Sequence, residues 1–389
     1  MEEQNKWKES WKNLLPEDID RIIQQLSTQP LSLANGGIIK RFEKIYAKFA
    51  GTEYAVATNN GTAALYSALW AVDVGNGDEV MVCDYGFVAM AGAIVTLQAI
   101  MVPVDMDPNT FTMDPQDLKR KITSKTKAIL VHNPWGVPAD LDAIHLVTDL
   151  PIILDASHAH GVIYKDKPLA SHADITCFSL GMGKLITGGE LGCAVTSNPQ
   201  YRDRMILLGH TNRTPFDLIT KIWNGNNVGL KFRPHVLAME IALLQMKRFE
   251  QKRTLLIATC KRIEQIFSEF GFIPQTAPQD AIRVYWRIVF VVDESYWEGL
   301  STAEIESILK QVNLPVEPNH YWPLLQYQSP FLWDENKNFV RAEFCANSSK
   351  ITPRLITLPA PVDLEEIQFD QIKSSLEKAK QFAKELKHV

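Results

Sequence analysis

No run of uninterrupted apolar residues in the 389-residue sequence approaches the roughly 18 needed to cross a membrane as a helix. Positive charge is not in excess: 40 Lys and Arg against 45 Asp and Glu leave a net charge of −5, which gives no electrostatic footprint for nucleic acid. Cysteine is scarce. The five residues Cys83, Cys177, Cys193, Cys260 and Cys345 are odd in number, widely spaced and mostly set in apolar runs. That pattern offers neither a disulfide framework nor a C-x-x-C zinc knuckle, and they read as buried thiols. Internal repeats and low-complexity tracts are missing as well. The N-terminal stretch "MEEQNKWKESWKNLLPEDIDRII" is acidic and amphipathic and lacks the basic start and apolar core of a secretory signal, so the expected location is the cytoplasm.

What is present is the composition of an ordinary globular protein, 46% hydrophobic and 22% charged. The length suits two domains sharing a cleft. From about residue 54 to 198, β-rich runs ("YAVAT", "EVMVCD", "MVPVDM", "AILVHN", "PIILDAS", "DITCFSL", "GCAVTS") alternate with stretches of helical periodicity. Alternation of this kind predicts an α/β fold with a mostly parallel sheet covered by helices on both faces. Ligands of such sheets sit at the carboxyl ends of the strands. Asp84, Asn133, Asp155 and Ser179 end or just follow such runs and are expected on one rim. Residues 234–270 read as one long helical stretch, and 199–233 as a polar, irregular loop. A smaller α+β unit follows, built around "IRVYWRIVFVV" and a final helix. The expected division is 1–250 for the large domain with its N-terminal arm and 251–389 for the small one.

The chemistry gathers around "CFSLGMGKLITGGELGC", residues 177–193, where Lys184 stands among five glycines. A nucleoside-triphosphate loop is excluded, because Phe178 replaces the first glycine of G-x-x-x-x-G-K-[ST] and Leu185 replaces the metal-binding hydroxyl. Upstream, "NNGTAAL" leads a turn into a helix, so the amides of Gly61, Thr62 and Ala63 form an anion site at its positive end; the same residues also serve as plain turn-and-cap chemistry. Asp155 ends an apolar strand, either as a helix-capping carboxylate or as the partner of a cation or donor. His158 follows three residues later, equally able to be a core histidine. Ser179 closes the next strand five residues before Lys184. An anion-binding turn, a strand-end Asp, a strand-end Ser and a loop Lys, in that order, suit pyridoxal 5′-phosphate (PLP), whose aldehyde takes a lysine amine as a Schiff base.

Over nearly its whole length the sequence resembles the DegT/DnrJ/EryC1/StrS family of PLP-dependent aminotransferases, which act on keto-sugars and keto-cyclitols. The likeness rests on residues 34–65, 132–141, 154–167, 177–192 and "LITLPAP" at 355–361. It implies the fold-type I, aspartate-aminotransferase-like architecture. By this resemblance Lys184 carries the cofactor, and Asp155 partners the pyridine nitrogen. Ser179 with the amides of Thr62 and Ala63 takes the phosphate, His158 lies near the ring hydroxyl, and Phe87 stacks on the ring. Lys231 stands where the family places an asparagine that reaches the phosphate of the other subunit. Gly181 and Leu191 also depart from the family pattern.

The resemblance further implies glutamate or glutamine as amino donor, a keto-sugar or keto-cyclitol as acceptor, exchange in two stages, and a homodimer with shared active sites. Asn226, Asn227 and Lys231 would then reach across the subunit boundary. Trp135, His210, Arg213, His320 and Tyr321 are candidates to meet the acceptor. Three rivals stand beside this reading: a PLP-binding regulator without turnover; a PLP-dependent sugar dehydratase, in whose relatives a histidine replaces the lysine that this chain keeps; and a two-domain α/β protein with no cofactor, which would need all four motif features to coincide by chance.

Overall fold

The computed structural model describes residues 14–31, 36–211, 213, 228–319, 321–333 and 339–386. Two helices, α1 (Pro16–Thr28) and α2 (Gly37–Ala50), precede the first strand, β1 (Tyr54–Thr58). Then α3 (Gly61–Ala71), β2 (Glu79–Cys83), α4 (Val88–Thr96), β3 (Ile100–Val104), α5 (Pro115–Lys121), β4 (Thr126–His132), α6 (Leu141–His145) and β5 (Ile152–Asp155) alternate. The series closes with β6 (Ile175–Ser179), β7 (Gly192–Thr196) and α7 (Pro199–Gly209). All seven strands match runs expected from the sequence.

They form one sheet in the order β1-β7-β6-β5-β4-β2-β3, in which only β7 runs against its neighbours. Successive strand residues serve opposite cores. Met81 and Cys83 face one apolar cluster with α2, α6 and the C-terminal half, whereas Val80 and Val82 face another with α3, α4 and α7. Burial on both faces is why these strands are continuous apolar runs.

Beyond the sheet, α8 (Val236–Met246) and α9 (Phe249–Ser268) lead to a four-stranded antiparallel sheet. Its strands are β8 (Phe272–Pro274), β9 (Arg287–Val292), β10 (Glu317–Pro318) and β11 (Leu355–Pro359), in the order β8-β9-β11-β10. The helices α10 (Thr302–Gln311), α11 (Ala346–Ile351) and α12 (Glu366–Leu386) complete this part.

Three local expectations are corrected. The 234–270 stretch is two helices, because Arg248 leaves helical geometry at φ −108° and ψ 3°. The polar stretch 199–233 opens with the helix α7, started by Pro199 at its first position and by Asn198, whose side chain accepts from the N–H of Gln200. The run 282–292, around which the small α+β unit is expected, gives only its second half to that unit's sheet. Ala281–Ile282 pairs with Ile163–Tyr164, and residues 284–286 instead follow the 135–136 turn, with Val284 N–H donating to Gly136 O (3.2 Å) and Trp286 N–H to Trp135 O (3.3 Å). Gly136 permits this approach, since a Cβ there would lie 2.3 Å from Val284 O.

From the second sheet the chain returns to the edge of the first. Leu325 N–H donates to Asp84 O (2.7 Å), Gln326 donates twice to the buried Asp84 carboxylate (3.0 and 2.7 Å), and Met101 N–H donates to Phe339 O (2.8 Å). The exposed side of edge strand β3 is thereby covered.

Candidate active site

The carboxyl rim of the large sheet brings the predicted residues together. Thr58, Gly192 and Ser179 lie in one row across β1, β7 and β6. The middle position must be glycine, because a Cβ on Gly192 would lie 2.2 Å from Asn60 O. Gly61 is pressed equally closely onto Ser179, where a Cβ would come within 2.7 Å of the serine Cβ. These two close approaches carry the first turn of α3 over the end of β6. Asn60 caps that helix by accepting from Ala63 N–H (2.8 Å), so the Ala63 amide is already engaged, while the N–H groups of Gly61 and Thr62 stand at the positive end of the helix. Ser179 is oriented from both sides: its N–H donates to Ser157 Oγ (3.1 Å) and its Oγ accepts from Gly181 N–H (3.3 Å). Together they form a cradle suited to a phosphate.

Asp155 ends β5 next to His132 of β4 and is 5% exposed. Its carbonyl accepts from the backbone N–H and the side chain of Asn133 (both 3.1 Å), and Oδ1 accepts from Ser157 N–H (3.0 Å). Among the described residues nothing donates to Oδ2. A carboxylate so deeply placed is costly unless a cation or donor meets it. Among the described residues His132 Nδ1 is buried without a hydrogen-bond partner, and burial holds the imidazole below its usual pKa against the pull of Asp155.

His158 is wholly buried. Its Nδ1 accepts from Trp135 N–H (3.3 Å), which places its proton on Nε2, 3.2 Å from the Tyr321 hydroxyl. Burial first, and then the Lys184 charge, push its pKa down, so the ring is neutral. The indole of Trp286 stacks on it at 3.8 Å between centroids and 14° between planes. Trp135, held at φ 59° with Nε1–H donating to Tyr85 OH (2.9 Å), and Tyr321 extend this aromatic wall.

Lys184 reaches into the same space. Its loop is closed at the base by Leu180 N–H to Leu191 O and by Gly188 N–H to Leu180 O, both 2.8 Å. Lys184 N–H donates to Gly181 O (3.2 Å), a turn completed by Gly183 at φ +79°. Nζ lies 4.3 Å from the centroid of the Trp286 ring. Burial lowers its pKa from 10.5 to about 8, partly opposed by Asp155.

The remaining candidates fall as follows. Phe87 caps the start of α4 and is 54% exposed. Lys231 is exposed and bridges His210, while Phe232 O accepts from Asn59 N–H (2.6 Å), which sets this segment beside the α3 turn. Arg213 is committed to Glu43 by two 2.7 Å bonds. Leu191 is core. Asn226, Asn227 and His320 lie outside the described residues. Sequence reasoning missed His132, Ser157, Gly192 and Trp286. Of these only Gly192 carried a local signal, its place at the end of the glycine-rich loop.

The fold described above is shared with solved aminotransferases. 3-Amino-5-hydroxybenzoic acid synthase matches with a TM-score of 0.83 over 95% of this chain and 97% of its own, at 23% identity. DesV of S. venezuelae matches with 0.83 over 97% of both chains, at 22% identity. The fold is therefore that of the fold-type I PLP-dependent transferases. Within that class the chain belongs to the DegT/DnrJ/EryC1/StrS aminotransferase family, whose model matches residues 14–377, and it is an aminotransferase. Among curated relatives, L-glutamine:2-deoxy-scyllo-inosose aminotransferase of Streptoalloteichus tenebrarius is 30% identical over 73% of this chain and 70% of that protein. GDP-perosamine synthase of Caulobacter vibrioides is 29% identical over 92% and 94%.

Proposed function

We propose that this aminotransferase binds PLP on Lys184 and carries an amino group from glutamine or glutamate to a keto-sugar or keto-cyclitol, in two half-reactions at one site. The observation that carries the reading is the meeting, on one sheet rim, of a largely buried lysine, a buried carboxylate whose Oδ2 has no donor among the described residues, and a cradle that two glycines leave too tight for any side chain. These residues fit the cofactor. Gly61, Thr62 and Ser179 would hold its phosphate, with Ala63 contributing through the helix end, while Phe87 would stack on its ring and His158 would lie near the ring hydroxyl.

When bound, PLP supplies an electron-withdrawing ring that stabilises the electrons left when a C–H bond beside the amino group is broken. The protein supplies the rest. Asp155 Oδ2 would keep a ring nitrogen protonated. Nζ of Lys184, with a pKa of about 8, takes up and returns a proton near neutral pH. His158, neutral and fixed by Trp135 and Tyr321, offers its Nε2 side without adding charge. The names of the curated relatives support glutamine as donor and a keto-cyclitol or keto-sugar as acceptor.

We further propose a homodimer with shared sites. Ile19, Ile23 and Leu26 form an exposed apolar stripe on α1, and Phe87 and Lys231 are exposed beside the site. The five free, buried cysteines suit the cytoplasm. No helix of the described residues is long and apolar enough to cross a membrane.

Borohydride reduction of the purified protein followed by peptide mapping tests the assignment. A cofactor-derived mass on Lys184, with turnover of glutamine and a keto-cyclitol, supports it. An unlabelled protein after incubation with PLP would end it, and label without turnover would favour a regulator.

A further inference from the structure

The two peptide carbonyls that flank Lys184 are both gripped from outside its loop. Gly183 O accepts from Trp286 Nε1–H (2.8 Å), and Leu185 O accepts from Lys252 Nζ (3.1 Å). Two residues further on, Gln245 brackets Thr187, its Oε1 accepting from the backbone N–H (3.1 Å) and its Nε2 donating to the carbonyl (2.9 Å). The donors come from three separate places: Gln245 from α8, Lys252 from α9, and Trp286 from the segment leading into β9.

Lys252 and Gln245 are buried, and burying such polar side chains is unfavourable unless their hydrogen bonds are made. Connecting β6 to β7 does not require them, because the bonds of Leu180 to Leu191 and to Gly188 already close the loop. Upstream of the lysine, by contrast, Gly181, the 88% exposed Met182 and Gly183 supply little packing of their own.

We propose that Trp286, Lys252 and Gln245 are positioning residues that clamp the backbone on both sides of Lys184 and so fix the reach of its amine. Trp286 acts twice, since its ring also lies beneath Nζ. The inference rests on the aminotransferase reading for its purpose, though its geometry does not depend on that reading.

The test compares wild type with Trp286→Phe, which keeps a flat ring but loses the N–H donor, and with Lys252→Met, which keeps most of the apolar stem but loses the ammonium donor. Amide hydrogen exchange of the 181–188 peptide in the ligand-free protein should accelerate about tenfold in each variant, the size expected for one lost hydrogen bond, while peptides of β5 stay unchanged. In the PLP-loaded enzyme, kcat should fall about tenfold or more with KM for both substrates nearly constant, as displacement of a reacting group predicts. Trp286 is half-buried, so its variant carries the test alone if Lys252→Met does not fold. Unchanged loop exchange in the folded variants overturns the clamp. If wild type takes no PLP on Lys184, the aminotransferase reading falls instead, and the exchange data still decide the clamp.

Discussion

Lys184 sits in surroundings unlike those of an exposed lysine. Its pKa of about 8 means that a large share of the amine is already neutral in mildly alkaline solution. In the ligand-free protein its reaction with an aldehyde should rise with pH and level off just above pH 8, whereas exposed lysines continue to gain reactivity toward pH 10. Borohydride trapping across pH 6–10 with peptide mapping measures this, and a Lys184 curve that tracks surface lysines would refute the burial argument. The same shift sets a sign for stability. Between pH 8 and 10.5 the unfolded chain holds more protons than the native one, so stability rises with pH through that window, and below it the buried ammonium is a standing cost. Lys184→Met should therefore stabilise the ligand-free protein at pH 7 by about 3 kcal/mol, from ~1.4 kcal/mol per pKa unit, with the gain vanishing above pH 10. Denaturant melts at pH 7 and pH 10.5 decide it. For Asp155 the expected cost is chemical. Asp155→Asn keeps an acceptor for Ser157 N–H, so the rim survives, but turnover should drop about a hundredfold or more, as for other preorganised electrostatic groups. Retained turnover would remove Asp155 from the proposed chemistry.

Elements explain why these residues meet. The rim works because β1, β7 and β6 place Thr58, Gly192 and Ser179 abreast and because α3 starts almost in contact with β6. Gly192→Ala puts a Cβ 2.2 Å from Asn60 O and 2.5 Å from Thr58 Oγ1, so the 58–61 turn must move away from Ser179. Overpacking of that kind typically costs about 1–3 kcal/mol. PLP affinity, read from absorbance titration, should weaken at least tenfold while the sheet persists by circular dichroism; unchanged affinity would mean the cradle is not the phosphate site. Much of this level was legible in the sequence. The seven large-sheet strands are buried on both faces, so each left an apolar run, and Asp155 and Ser179 could be placed at strand ends by counting. The helix α7 was hidden in a polar stretch although Asn198 and Pro199 mark its start. The run 282–292 marked the small α+β unit, but nothing in it told that its first half pairs with distant backbone instead of with that unit's sheet. Trp286 had no local signature at all: it reaches the site only through the turn at Trp135–Gly136, in which Gly136 adopts φ +93°.

At the scale of the whole molecule the proposed homodimer can be tested by asking whether each site belongs to one chain. Lys231 is exposed, and its neighbour Phe232 is tied to Asn59, one residue before the cap of α3. From that position a lysine can serve a phosphate as a point charge, either on its own chain's cradle or on that of a second subunit. Mixed dimers separate these arrangements. Lys184→Ala removes the reactive amine, and Lys231→Glu sets a repelling charge against the phosphate. If Lys231 acts across the subunit boundary, a dimer with one chain of each kind holds one site with both defects and one with neither. Random pairing then makes half of the dimers mixed, so about a quarter of all sites in a co-expressed equal mixture are intact. Activity in the mixture should climb to about that fraction of wild type, far above either variant alone. If Lys231 serves its own chain, every site in a mixed dimer keeps one defect, and the mixture gives only the average of the two parents. The first result would make the active site a property of the pair, and the second would confine it to the single chain.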